Sequence, residues 1–170
     1  MKTLVIHPKD STTDFLCEIY KDKEWTIVNT NTSKKFLKEQ IKAHDRIVML
    51  GHGTEKGFLG FNKFVIDSTW VYLLRDKNCV YIWCNADVFV KKYKLKGFYT
   101  GMIISEYEEA IMCCVPSNSH FINESNIDFA LAIKNSIDEE NMLEQAKMLY
   151  EGNSAVVDFN RNNLYHEALS

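Results

Sequence analysis

Chain-breaking residues are scarce in this sequence, with two prolines, Pro8 and Pro116, and seven glycines in 170 residues. No Ser/Gly/Pro-rich linker divides the chain, so a single domain is expected over residues 1–170. Long apolar runs are also missing. None approaches the roughly 18 residues that a membrane helix needs, so no membrane partner is expected. The run Leu4-Val5-Ile6 meets Pro8 and then charges, which is too short for a signal-peptide core, and a cytoplasmic protein is expected. Basic residues are not in excess: 20 Lys and Arg face 23 Asp and Glu. A net charge of −3 supplies no overall field for nucleic acid, and no nucleic-acid partner is expected. CxxC pairs, HExxH and Cys/His zinc spacings are absent, so no metal is expected. Gly51-x-Gly53 lacks the third glycine of a dinucleotide fingerprint, because Lys56 stands there, and no cofactor is expected. The five cysteines are an odd number without a disulfide-framework spacing, and they read as reduced thiols.

What is present alternates short apolar runs with helix-like stretches, the pattern of βαβ units and a mainly parallel sheet. Strands are expected at Leu4–Ile6, Trp25–Val28, Arg46–Leu50, Cys79–Trp83 and Tyr99–Ser105, with a hairpin over Gly57–Gly60 and Phe64–Ile66. Helices are expected over Asp14–Tyr20, Lys34–Ala43 (capped by Ser33), Thr69–Arg75 (capped by Ser68), Asp87–Tyr93, Ile127–Ile137 and Asn141–Tyr150. Ala110–Val115, with Cys113 and Cys114, reads as a further strand whose adjacent thiols point to opposite faces and are buried. Ala155-Val156-Val157 forms a last short segment. The core spans about 2–115, with a helical C-terminal extension over about 120–170.

In an open parallel sheet the chemistry lies beyond the carboxyl ends of the strands. Gly51-His52-Gly53 and Cys84-Asn85 both fall there, on consecutive parallel strands. If those strands are neighbours, roughly 4.8 Å apart, His52 and Cys84 share one rim. An imidazole beside a thiol can take its proton and make it a nucleophile. The N–H groups of Gly53 and Cys84 are candidate donors to an oxyanion. Glu106, with Glu108 and Glu109, follows a strand end and can offer a carboxylate to a basic side chain.

Leu50-Gly51-His52-Gly53-Thr54-Glu55-Lys56-Gly57-Phe58-Leu59-Gly60 resembles the His-Gly block of the caspase-like cysteine peptidases, the superfamily of caspases, metacaspases, legumain, gingipain, clostripain and CHAT domains. Val80-Tyr81-Ile82-Trp83-Cys84-Asn85 is similar to the block that ends in the nucleophile, and the resemblance covers roughly residues 2–115. It implies a three-layer α/β sandwich with strand order beginning 2-1-3-4. It also implies a cysteine endopeptidase acting on a peptide or protein substrate through a Cys84–His52 dyad. Gly53 and Cys84 would form the oxyanion hole, and Glu106, Trp83 and Asn85 are candidates for a substrate pocket. The sequence departs from the family pattern in placing Trp83 before the cysteine and Asn85-Ala86-Asp87 after it. The alternative is a catalytically inactive binding or scaffold module of the same fold, with Cys84 blocked by Trp83.

Overall fold

The computed structural model describes residues 1–168. Strand β1 (Thr3–Ile6) leads into a 3-10 helix over Ser11–Ile19, then β2 (Thr26–Val28) and helix α1 (Lys34–Ala43). Strand β3 (Arg46–Leu50) is followed by a three-stranded antiparallel unit: β4 (His52–Thr54), β5 (Gly57–Gly60) and β6 (Lys63–Ile66). A 3-10 turn at Ser68–Trp70 runs into α2 (Val71–Leu74). Then come β7 (Asn78–Ile82), α3 (Ala86–Lys92), β8 (Gly97–Thr100), α4 (Tyr107–Met112), α5 (Ser119–Ser136), α6 (Met142–Leu149), α7 (Ala155–Arg161) and β9 (Leu164–Glu167). None of these helices is long and apolar enough to cross a membrane.

The central sheet has six strands in the order β2-β1-β3-β7-β8-β9. Its first four follow the expected 2-1-3-4 order once the small hairpin sheet is set apart. All pairings from β2 to β8 are parallel, and β9 closes the edge antiparallel to β8. The sheet is therefore mixed. Side-chain alternation sorts its residues between two cores. Leu4, Ile6, Ile47, Met49, Cys79 and Tyr81 join α1, α2 and α3 on one face. Val5, Val48, Leu50, Val80 and Ile82 join the 3-10 helix, α5 and α6 on the other. With both faces covered, β3 and β7 can be continuous apolar runs.

Local chemistry explains where expectation and structure agree or part. Ser33 Oγ accepts the Phe36 N–H at 3.1 Å, so α1 starts where the cap predicts. At the next helix Asp67 takes the capping role instead of Ser68, accepting from the Thr69 N–H at 2.9 Å. The segment expected as a strand over Tyr99–Ser105 bends away at Gly101, so β8 is Gly97–Thr100. Ala110–Val115 is not a strand. Glu106 and Glu109 form a reciprocal capping box that starts α4, and the helix carries Cys113 to its C-terminal end. The two thiols are consequently not a buried pair, since Cys113 is half-buried and Cys114 exposed. The residues after 119 are part of the sandwich: α5 and α6 fill one layer and β9 pairs with β8. Strand β9, Leu-Tyr-His-Glu, has no apolar periodicity to announce it, because an edge strand is held largely by backbone pairing.

Candidate functional site

The rim of the sheet is built by three consecutive strand ends. β1 ends at Ile6 and delivers His7-Pro8-Lys9-Asp10, β3 delivers Gly51-His52, and β7 delivers Trp83-Cys84. β3 and β7 are hydrogen-bonded neighbours in parallel register, with Leu50 opposite Ile82. The last rung is the Gly51 N–H to Ile82 O bond of 3.0 Å. Beyond it the strands part. His52 and Cys84 both border a narrow cleft of about 30 Å³, together with Ser105 and Glu109. His52 also borders a wider cavity of about 270 Å³, shared with Lys9, Asp10 and Lys63.

The thiol has polar neighbours other than the imidazole. Cys84 Sγ lies 3.4 Å from Ile103 O and 3.6 Å from Glu109 Oε2. Its one proton can serve either acceptor, and among the described residues no hydrogen bond joins it to His52. Burial, with the Glu109 charge adding to it, pushes the thiol up to about 12. Glu109 is itself held firmly. Its Oε1 accepts from the Ser105 N–H, the Ser105 hydroxyl and the Glu106 N–H at 2.9–3.0 Å. The carboxylate that starts α4 is thus also the one that faces the thiol. The Cys84 amide donates no hydrogen bond to another described backbone group.

His52 is tied on its other side. Its Nε2 lies 2.7 Å from Thr12 Oγ1, and the Thr12 hydroxyl is 2.7 Å from Asp10 Oδ1. Asp10 Oδ2 is 3.7 Å from the same Nε2. The Thr12 side chain, the Thr12 N–H and the His52 charge together draw the Asp10 carboxyl below its ordinary range.

Trp83 borders the same cleft as Cys84, but its indole does not cover the thiol as the inactive-module alternative expects. Residues 81 and 83 share one face and residues 82 and 84 the other, so the indole turns away from the thiol. It is fully buried, stacks on Phe58 at 5.4 Å, and packs edge-on against Tyr81 and Phe89. Its Nε1 donates to Thr54 O at 3.0 Å. The alternation that separates Trp83 from Cys84 was readable in the apolar run itself. Gly53 lies directly under this ring: a Cβ there would sit 2.0 Å from Trp83 Cδ1. The indole is wedged among aromatics and cannot yield. Gly53→Ala is therefore expected to destabilise the fold by about 1–3 kcal/mol, measured as a lower urea midpoint at unchanged m-value.

Asn85 serves the backbone. It adopts left-handed φ and ψ of 64° and 27° at the start of α3, a conformation that Asn tolerates better than most residues. Its N–H bonds Gly101 O at 3.1 Å, and it is not among the residues that line the Cys84 cleft. Glu106 lies near enough to His52 to feel its charge, but Glu109 is the carboxylate that borders the cleft. Burial and the neighbouring Glu109 raise the Glu106 carboxyl from its ordinary range. Two participants were missed in the sequence. Asp10 and Thr12 follow the end of β1, and applying the strand-end rule to β1 as well as to β3 and β7 would have found them. Glu109 was named with Glu106 and Glu108 as a strand-end carboxylate, but its contact with the thiol had no signal, because it depends on how α4 packs.

Comparison with protein-family models found no match for this chain, and comparison with curated proteins and with solved structures found none either.

Proposed function

We propose that the protein is a cysteine endopeptidase of caspase-like organisation, held here in a resting form. The observation that carries this reading is that His52 and Cys84 border one cleft at the carboxyl ends of adjacent parallel strands. At about 30 Å³ the cleft over the thiol admits roughly one water. The neighbouring cavity of about 270 Å³ beside His52 is large enough for a substrate side chain. In the reaction the Cys84 proton passes to the imidazole, and the thiolate sulfur bonds to the scissile carbonyl carbon. The oxyanion takes N–H donors from Cys84 and Gly53. The C–N bond then breaks as the imidazolium protonates the leaving amine, and water hydrolyses the thioester by the reverse sequence. For this to happen the thiol must exchange its present acceptors, Ile103 O and Glu109, for His52.

The inactive binding module is the second reading, and a specific observation favours it: the thiol is hydrogen-bonded away from the imidazole and holds its proton. Peptide-library cleavage separates the two. The peptidase reading expects turnover that falls at least about 10³-fold in Cys84→Ala and in His52→Ala. It also expects covalent capture of Cys84 by a peptidyl electrophile. Peptide binding without cleavage or capture, unchanged in Cys84→Ala, would establish the binding module.

A further inference from the structure

We infer that Asp10 and Thr12 are positioning residues that form a hydrogen-bonded chain to His52 and fix its imidazole as the Nε2–H tautomer. The argument is one of counting protons. Asp10 is an ionised carboxylate whose Oδ1 already accepts the Thr12 amide at 2.9 Å. A carboxylate only accepts, so the 2.7 Å contact between Thr12 Oγ1 and Asp10 Oδ1 must use the single hydroxyl proton of Thr12. That leaves Thr12 Oγ1 as an acceptor alone. The 2.7 Å contact with His52 Nε2 then needs its proton from the imidazole. In the neutral ring the lone pair is therefore on Nδ1, which makes no hydrogen bond to another described residue. Direct contact of Asp10 with the ring is too long for a hydrogen bond, at 3.7 Å, so the hydroxyl transmits the orientation while the carboxylate supplies the charge. The low carboxyl of Asp10, caused first by Thr12 and also by His52, agrees with an acid that stays ionised at one end of such a chain.

Two features make the chain a built arrangement. Asp10 is the N-cap of the 3-10 helix Ser11–Ile19, so the bond that starts the helix also places the carboxylate and the hydroxyl two residues apart. Both then sit on the strand end next to β3, which delivers His52. The imidazole is held from the β1 side through Nε2.

The catalytic consequence rests on reading His52 as the proton acceptor; the tautomer does not. The test is therefore read in two ways. Long-range 1H–15N correlation on 15N-labelled protein, above the pH at which the ring titrates, reports which nitrogen of His52 carries the proton. Wild type is expected to show protonated Nε2 and bare Nδ1, with an Nε2 proton slow enough in exchange to be observed. Thr12→Val removes the acceptor and is expected to lose that slowly exchanging proton, and Thr12→Ser to restore it. Thr12 is half-buried, and a matching amide spectrum elsewhere would show that the valine variant folds. Protonated Nδ1 in wild type, or an Nε2 proton unchanged in Thr12→Val, would overturn the inference. Where peptide hydrolysis is measurable, Thr12→Val is expected to lower kcat about 10²-fold, as for a displaced catalytic group, with KM little changed and recovery in Thr12→Ser. Absence of hydrolysis in wild type would count against the peptidase reading alone, since the tautomer is read without it.

Discussion

Iodoacetamide is expected to react with native Cys84 at least about 100-fold more slowly at pH 7.5 than with an ordinary thiol. The size follows from ionisation. A thiol at about 12 against about 8.5 for a free cysteine is some 3.5 units, or roughly 3,000-fold less thiolate at neutral pH. The more basic thiolate is intrinsically more reactive, which recovers about 30-fold of that loss. Burial of the sulfur slows the reaction further. The rate should rise about tenfold per pH unit toward 12 and increase sharply in denaturant, where the same cysteine titrates as a free thiol. Mass spectrometry of the alkylated peptide distinguishes Cys84 from exposed Cys114 in one digest. Glu109→Gln removes the charge that faces the sulfur and is expected to speed the reaction several-fold at fixed pH. Fast labelling of native Cys84 at pH 7.5 would show that the thiol has left Ile103 O and Glu109 in solution.

The same proton has a thermodynamic side. The unfolded thiol ionises near pH 8.5 and the folded one near 12, so the folded state holds more protons between those values. Stability attributable to Cys84 is complete below about 8.5 and is lost as pH rises toward 12. Cys79, buried beneath α2 and also pushed up to about 12 by burial, adds to the same alkaline loss.

Trp83→Ala is expected to lower stability by about 3–5 kcal/mol, the range for removing a fully buried large side chain. Phe58, Tyr81 and Phe89 would lose a shared partner, and Thr54 O would lose its donor. Against a typical total of about 5–15 kcal/mol, that is enough to leave a visible unfolded population at 37 °C. Urea denaturation of Trp83→Ala and Trp83→Phe measures it, with the phenylalanine variant retaining part of the stacking. A loss under 1 kcal/mol would mean that the indole is not the pillar between β7 and the hairpin. Because Trp83 points away from Cys84, Trp83→Phe is also expected to leave the Cys84 alkylation rate within about twofold.

Much of the scaffold was legible along the chain because its signals are local. The Ser33 cap and the Phe36/Leu37/Ile41 pattern marked α1, and the unbroken apolar runs marked β3 and β7 as central strands. His52 and Cys84 were placed on one rim by the same reasoning, since both follow those runs. The errors share a cause. Ala110–Val115 is apolar enough for a strand, but the Glu106/Glu109 box made it the end of a helix. Trp83 was judged by its bulk when the period of the strand already turned it to the opposite face.

The sequence alone determined which runs are central parallel strands and that a histidine and a cysteine end two of them; the strand order was expected only from the family resemblance. The strands follow from periodicity and from the alternation of strand and helix, which act over short stretches of chain. Which groups each of those residues touches was decided only by the tertiary structure. Hydrogen bonding and desolvation depend on distances of a few tenths of an ångström between segments far apart in the chain. Thr12 reaches His52 across 40 residues, and Glu109 reaches Cys84 across 25. Those contacts are the basis for placing a proton on the sulfur of Cys84 and, through the chain we infer, on Nε2 of His52.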